Sequence, residues 1–390
     1  MKSVLGLLLI IITTANYCQT KTAVSTKELV VGAAQFELYL PTLQGKNVAL
    51  IVNQTSTIGS THIVDTLLSL GITIKKIFAP EHGFRGVADA GEHVQDGIDK
   101  KTGLPIISLH GKHKKPTEES LKDIDIVIFD IQDVGVRFYT YISTMHYVME
   151  ACAEQNKQFI VLDRPNPNGD YIAGPVLNLE FQSFVGMHPI PIVHGLTVGE
   201  LATMINGEKW LENGMQCKLT VIKVANYTHS TPYILPIKPS PNLPNQQSIL
   251  LYPSLCLLEP TIMSIGRGTE FPFQVIGYPD SIYGAFTFTP VSTEGASKYP
   301  KHEDIKCYGE DLRNATENIR FSVAPILKYY NKHPSDSFFT SPSFFDKLAG
   351  NNILREQIKQ GLTQSEIEES WQKELDAYKK MSATYKLYSN

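Results

Sequence analysis

Two carboxylates and one dense run of polar groups are the residues of this chain whose types and spacing could do chemistry. Glu81 lies in Pro80-Glu81-His82-Gly83-Phe84-Arg85-Gly86, and Glu92 closes the following Ala90-Gly91-Glu92. The glycines at 83, 86 and 91 predict a backbone that turns tightly or lets a ligand approach. Two carboxylates projecting into one cleft are what glycosidic cleavage usually requires, one as acid to the leaving oxygen and one as base or nucleophile. An ion pair of Glu81 with Arg85, and a solvated loop charge at Glu92, are the simpler alternatives. The second density begins where the apolar run Ile124, Ile126, Val127, Ile128, Phe129 stops. Asp130, Gln132, Asp133, Arg137, Tyr139 and Tyr141 then follow within a dozen residues, more hydrogen-bonding groups than a surface turn needs.

These groups require a scaffold that brings distant stretches together. The run 124–129 is too short for a membrane span and suits a strand buried on both faces of a parallel sheet. Similar strands are expected at 46–55, 72–79, 104–109 and 159–162, with helices over 65–70 and 142–155 between them. That alternation predicts an α/β fold: a Rossmann-like parallel sheet with helices on both faces. The strands end in Asn53, Glu81 with His82, His110, Asp130 with Asp133, and Asp163 with Arg164 and Asn166. Ligands of open α/β sheets bind outside the carboxyl ends of the strands, so these groups are expected to converge. Helix capping is the competing role for Asn53 and Asp163 taken singly.

Further on, Thr197 and Glu200 form a capping box, which makes Glu200 structural. The prolines between 232 and 244 read as a rigid crossover and set the expected boundary between a first domain, 25–232, and a smaller α+β domain, 233–390, that closes the cleft. In the second half Pro239-Ser240-Pro241-Asn242 and Cys256 to Glu270 are the remaining site candidates; the latter offers Glu259 and Arg267, a cation suited to an acidic ligand or else half of an interface salt bridge. Strands are expected at 273–277 and 285–290, and helices at 321–330, 343–349, 352–360 and 363–381. The last would be capped by Ser365 with Glu368, and its stripe Ile367, Trp371, Leu375, Tyr378 reads as core.

Composition excludes several classes. With 42% hydrophobic and 19% charged residues and a net charge of −4, the chain offers no basic surface for nucleic acid. It has neither a dinucleotide nor a phosphate-loop glycine motif and no serine-hydrolase elbow, so no cofactor is expected. His82, Asp130, Asp133, His188 and His194 are of metal-ligand type but lie in no ligand spacing. Residues 1–20, with Lys2 before the apolar run Val4 to Ile12, match a secretory signal. An exported, periplasmic or extracellular protein follows, with no stable membrane insertion after signal removal; Ala15-Asn16-Tyr17 argues against a lipid anchor at Cys18. Cys152, Cys217, Cys256 and Cys307 are widely spaced and read as buried thiols.

Taken together, APEHGFRG (79–86), DAGE (89–92), DIQDVGVRFYTYISTM (130–145), LDRPNPNG (162–169), GPVL (174–177), HGLTVGE (194–200), PSPN (239–242), LLYPSLCLLE (250–259) and GRGTEFPF (266–273) resemble the NamZ-type exo-β-N-acetylmuramidases. The likeness runs from about residue 45 to the C-terminus. It implies an enzyme of cell-wall turnover that removes N-acetylmuramic acid from non-reducing ends of peptidoglycan fragments, in a cleft between a Rossmann-like and a smaller domain. The family's E-H-G glutamate falls on Glu81, which fits the acid; Glu92 is first choice for its partner, with Asp130 and Asp133 as competitors. Asn53, His82, Arg85, Gln132, Arg137, Tyr139, Tyr141, Asp163, Arg164, Asn166, Glu259 and Arg267 complete the expected sugar contacts. A sugar-binding protein that does not cut, and a metal-dependent hydrolase, are the alternative readings.

Overall fold

Short runs of β-branched and aromatic residues, each stopped by a polar or turn-forming residue, build the centre of this protein. The computed structural model describes residues 28–81, 83–84, 96–111, 113–317 and 319–390. The expected signal segment, Cys18, His82, Arg85, Gly86, Gly91 and Glu92 lie outside them.

The central sheet has seven strands: β1 (Asn47–Val52), β2 (Thr73–Ala79), β3 (Gly97–Ile98), β4 (Pro105–Ser108), β5 (Ile126–Asp130), β6 (Gln158–Leu162) and β7 (Lys218–Ile222). Their order is β7-β6-β5-β1-β2-β4-β3. All neighbours are parallel except the β3–β4 edge pair. Every residue of β5 is buried, as expected of a central strand covered on both faces. Helices α1 (Ile63–Ser69), α2 (Tyr141–Glu154) and α3 (Val198–Gly207) follow strands and cross back. The Thr197–Glu200 capping box opens α3 as expected.

Edge strand β7 is not among the strands expected from the sequence. It alternates between more and less exposed residues, so it lacks the continuous apolar run that marks central strands.

Helix α4 (Gln246–Leu255) leads into the smaller C-terminal region. There β8 (Val275–Tyr278), β9 (Phe286–Phe288) and β10 (Cys307–Asp311) form an antiparallel sheet with β10 in the middle. Helices α5 (Ala324–Lys332), α6 (Pro342–Ala349), α7 (Ile353–Lys359), α8 (Gln364–Ser370) and α9 (Gln372–Ala383) complete it. One correction concerns the last pair. The single helix expected over 363–381 is broken at Trp371, and its cap is Thr363 with Glu366, not Ser365 with Glu368. Gly361 turns the chain at a φ of 75°, so Thr363 is already extended and the helix begins two residues early. The stripe Ile367, Trp371, Leu375, Tyr378 is buried.

A single hydrophobic cluster takes in Ile51 and Phe129 of the parallel sheet together with Tyr252, Leu258 and Tyr378 of the second half. The four cysteines Cys152, Cys217, Cys256 and Cys307 are buried and unpaired. Among the described residues no helix is long and apolar enough to cross a membrane.

Candidate active site

Strand register explains why groups far apart in sequence meet. Val52 pairs with Asp130, Phe129 with Val161, Ile51 with Phe78, and Ala79 with Ser108. The strands therefore end nearly level, and Asn53, Glu81, His110, Asp130 and Asp163 leave the sheet along one edge.

From that edge Glu81, Tyr139, Thr140 and Tyr141 reach a cavity of about 150 Å³. The opposite wall comes from the C-terminal region: Asn242, Tyr252, Glu259, Arg267 and Phe273, with Phe344 and Leu348 of α6. Gly83, at a φ of 76°, closes a turn onto the Pro80 carbonyl and fixes the backbone that presents Glu81. The Thr140 hydroxyl, at the N-cap of α2, donates to Glu81 Oε2 at 2.7 Å. The Arg267 guanidinium binds the Glu259 carboxylate and lies 5.0 Å from the centre of the Phe273 ring. Glu259 and Arg267 are thus an ion pair within the C-terminal region that also forms part of the cavity wall.

Tyr139 and Tyr252 meet edge to face at 6.0 Å, and Tyr252 meets Phe273 the same way at 4.9 Å. The Tyr141 hydroxyl reaches toward the Pro239 carbonyl at 3.4 Å.

Other expected contacts are committed inside the protein instead. Arg137 is completely buried, and it donates to the carbonyls of Pro175, Ile190 and Leu348, each at 2.8 Å. It braces α6 against the first domain and does not line the cavity; with no carboxylate beside it, burial pulls its guanidinium down to about 9. Arg164 grips Asp130 with two hydrogen bonds of 2.6 and 2.9 Å. Asp163 accepts from the Thr197 hydroxyl, the Gly199 amide and the Tyr388 hydroxyl, so it is the cap and tether that the simpler reading allowed. Asn166 bonds the Leu196 carbonyl and the Asn168 amide. It packs against Gly135, where a Cβ would fall 2.1 Å from its Oδ1. Gln132 binds the carbonyls of Asp133 and Pro165, and Asn53 Oδ1 caps Thr55. These residues are the frame beneath the cavity floor.

Asp133 is separate. Its Oδ2 accepts from the Gly135 amide at 2.6 Å, its Oδ1 has no partner, and His194 Nε2 stands 4.0 Å away. Burial pushes this carboxyl from 3.8 up to about 7, while burial drives His194 down to about 3. An acid whose folded value is raised keeps a proton that the unfolded chain releases. Its stabilising share is complete below about pH 4 and is lost as pH rises toward about 7. Replacing Asp133 by Asn, a neutral isostere, should therefore flatten the decline in melting temperature across that window. Thermal melts at both ends of it check this, and an unchanged slope would show that Asp133 does not hold the proton.

Of the metal-type residues, Asp130 belongs to Arg164 and His188 hydrogen-bonds His146 at 2.9 Å. Among the described residues the acidic cluster Glu150, Glu154, Glu212 is the group with ligand-like spacing. The Lys115 ammonium sits in it, 2.8 Å from Glu150 and 2.5 Å from Glu154.

Ser240 and Asn242 of the Pro239–Asn242 candidate line the cavity as well, and Thr140, Tyr252 and Phe344 do so without having been expected there. Tyr252 does stand in the quoted LLYPSLCLLE segment, and Thr140 lies between two tyrosines that were named, so motif density was the available signal.

Two family models match this chain: the N-terminal part of the exo-beta-N-acetylmuramidase NamZ over residues 48–247, and its C-terminal part over 250–388. The peptidoglycan beta-N-acetylmuramidase NamZ of Bacillus subtilis (strain 168) is 41% identical over 374 residues, which is 90% of this chain and 89% of that protein. Two crystal structures of DUF1343 family proteins from Bacteroides fragilis NCTC 9343 superpose on it with TM-scores of 0.86 and 0.79, at 44% and 32% identity. Each alignment covers 93% of this chain and 99% of the other. With both halves matched in order and the first domain's sheet carrying the E-H-G glutamate to the cleft, this chain belongs to the NamZ family of exo-β-N-acetylmuramidases.

Proposed function

We infer that this chain is an exo-acting glycoside hydrolase that releases N-acetylmuramic acid from the non-reducing ends of peptidoglycan fragments. The observation that carries the reading is the 41% identity to the Bacillus subtilis muramidase along nearly the whole of both chains. In this reading Glu81 protonates the leaving oxygen, held in orientation by Thr140. Glu92 is the first choice for the second carboxylate. Of its competitors, Asp130 is spent on Arg164 and Asp133 is buried away from the cavity lining, which favours a group outside the floor. Tyr139 and Tyr141 would meet sugar hydroxyls, and Arg267 would exchange part of its hold on Glu259 for the lactyl carboxylate. His82 and Arg85 remain candidates beside Glu81. The apolar segment at the start of the chain supports action outside the cytoplasm, in cell-wall turnover.

The test is release of free N-acetylmuramic acid from the disaccharide N-acetylmuramyl-β-1,4-N-acetylglucosamine, with and without chelator. Release in both arms is the expected result. Binding with no product would instead make this a sugar-binding protein, and loss with chelator that added metal restores would make it a metal-dependent hydrolase.

A further inference from the structure

Most aromatic side chains around the cavity that holds Glu81 are already committed to one another. Phe138, Tyr139, Tyr141, Tyr252 and Phe273 are buried, and edge-to-face contacts lock them together, Phe138 with Tyr252 at 5.4 Å and Tyr139 with Tyr141 at 4.9 Å. Phe344 differs: of the described residues that line the cavity it is the one that is exposed, at 36%. Leu348, four residues on and therefore on the same face of α6, lines the cavity too but is buried. That face runs from the interior at Leu348 to the mouth at Phe344, where the ring is accessible.

The helix that carries the ring is fixed along its length. Ahead of α6 the Ser341 amide donates to the Pro260 carbonyl at 3.2 Å, within it Arg355 grips Asp346 with hydrogen bonds of 2.9 and 3.0 Å, and beyond it the Asn178 amide donates to the Gly350 carbonyl at 2.9 Å. A ring on so fixed a support needs little ordering when a ligand meets it. It offers a flat, electron-rich apolar face and no hydrogen bond, which suits the C–H groups of a pyranose rather than its hydroxyls. In an exo-acting enzyme the terminal sugar occupies the interior and the bond to be cut stands at Glu81, so the sugar at the mouth is the one that leaves. A β-linked N-acetylglucosamine, whose ring substituents are all equatorial, presents such C–H groups on its faces.

We propose that Phe344 is the platform on which the leaving N-acetylglucosamine packs, which makes it a specificity residue for the far side of the scissile bond. This rests on the muramidase reading and refines it, since it says which residue of the C-terminal region meets the second sugar. The muramyl ring lies further in, against the buried wall, and does not depend on Phe344.

The experiment measures kcat and KM for N-acetylmuramyl-β-1,4-N-acetylglucosamine, and the Ki of free N-acetylmuramic acid as a competing product, in wild type, Phe344→Ala and Phe344→Tyr, with melting curves alongside. Phe344→Ala is expected to raise KM by about three- to tenfold, the scale of one aromatic contact, with kcat and Ki little changed. Phe344→Tyr keeps the ring at an exposed position and should restore the wild-type KM. A role confined to packing α6 would lower the melting temperature and raise KM and Ki together, and that pattern overturns the assignment. An unchanged KM in Phe344→Ala, or a tyrosine variant as impaired as the alanine one, overturns it too. If the wild-type protein releases no N-acetylmuramic acid from the disaccharide, the muramidase reading has failed and the proposal falls with it; if it does release the sugar and KM does not respond, the assignment of Phe344 alone has failed.

Discussion

Replacing Glu81 by Gln is expected to lower turnover of the muramyl disaccharide by about 10²- to 10⁴-fold, the range ascribed to a positioned general acid or base. The fold should survive, because glutamine keeps the shape and can still accept the Thr140 hydroxyl. The loss should depend on the leaving group. An N-acetylglucosamine oxygen needs a proton to depart, whereas a nitrophenolate departs with far less help, so the variant should be much less impaired on a nitrophenyl muramide. Equal losses on both substrates would remove Glu81 from the acid role and make it a sugar ligand or the nucleophile. Unchanged turnover would remove it from the chemistry altogether.

A different kind of loss is expected at Arg164. Removing one partner of a buried ion pair typically costs about 3–5 kcal/mol, because the other charge is left without compensation. Asp130 is fully buried and Arg164 nearly so, so Arg164→Ala should lower the melting temperature by about 4–6 °C in a chain of this length. The double variant Asp130→Leu/Arg164→Met, with no charge to strand, should melt closer to wild type. A sugar-holding Arg164 would behave differently: the alanine variant would melt normally and show a raised KM. Melting curves on the three proteins separate the two roles.

The contrast between Glu81 and Arg164 shows what was legible in the sequence. Strand ends could be read from where apolar runs stop, and parallel register then forces their polar residues onto one edge. That much follows from local pattern, as do the Thr197 cap and the buried stripe from Ile367 to Tyr378. Which side chains point outward from that edge is decided by partners supplied from elsewhere in the chain. Arg137 finds its carbonyls at Pro175, Ile190 and Leu348, Asp163 finds Tyr388, and Arg164 finds Asp130. None of these separations leaves a periodic trace. Composition alone makes an arginine among tyrosines look like a ligand contact, and the same arginine turns out to be a brace. Asn242 was legible as part of the Pro239–Asn242 candidate, but its anchor at the Ala296 carbonyl was not.

The helix Gln246–Leu255 has one more implication. The two family segments meet between residues 247 and 250, inside this helix; most of its residues are buried, and Ile249, Leu251, Tyr252 and Leu255 belong to the hydrophobic cluster common to both halves. A chimaera joined there with the second half of a distant relative would cut through a packed element and mismatch the surfaces on each side. Swaps intended to transfer substrate preference have better prospects when they move individual wall residues such as Asn242, Tyr252 and Phe344 than when they graft the whole C-terminal region.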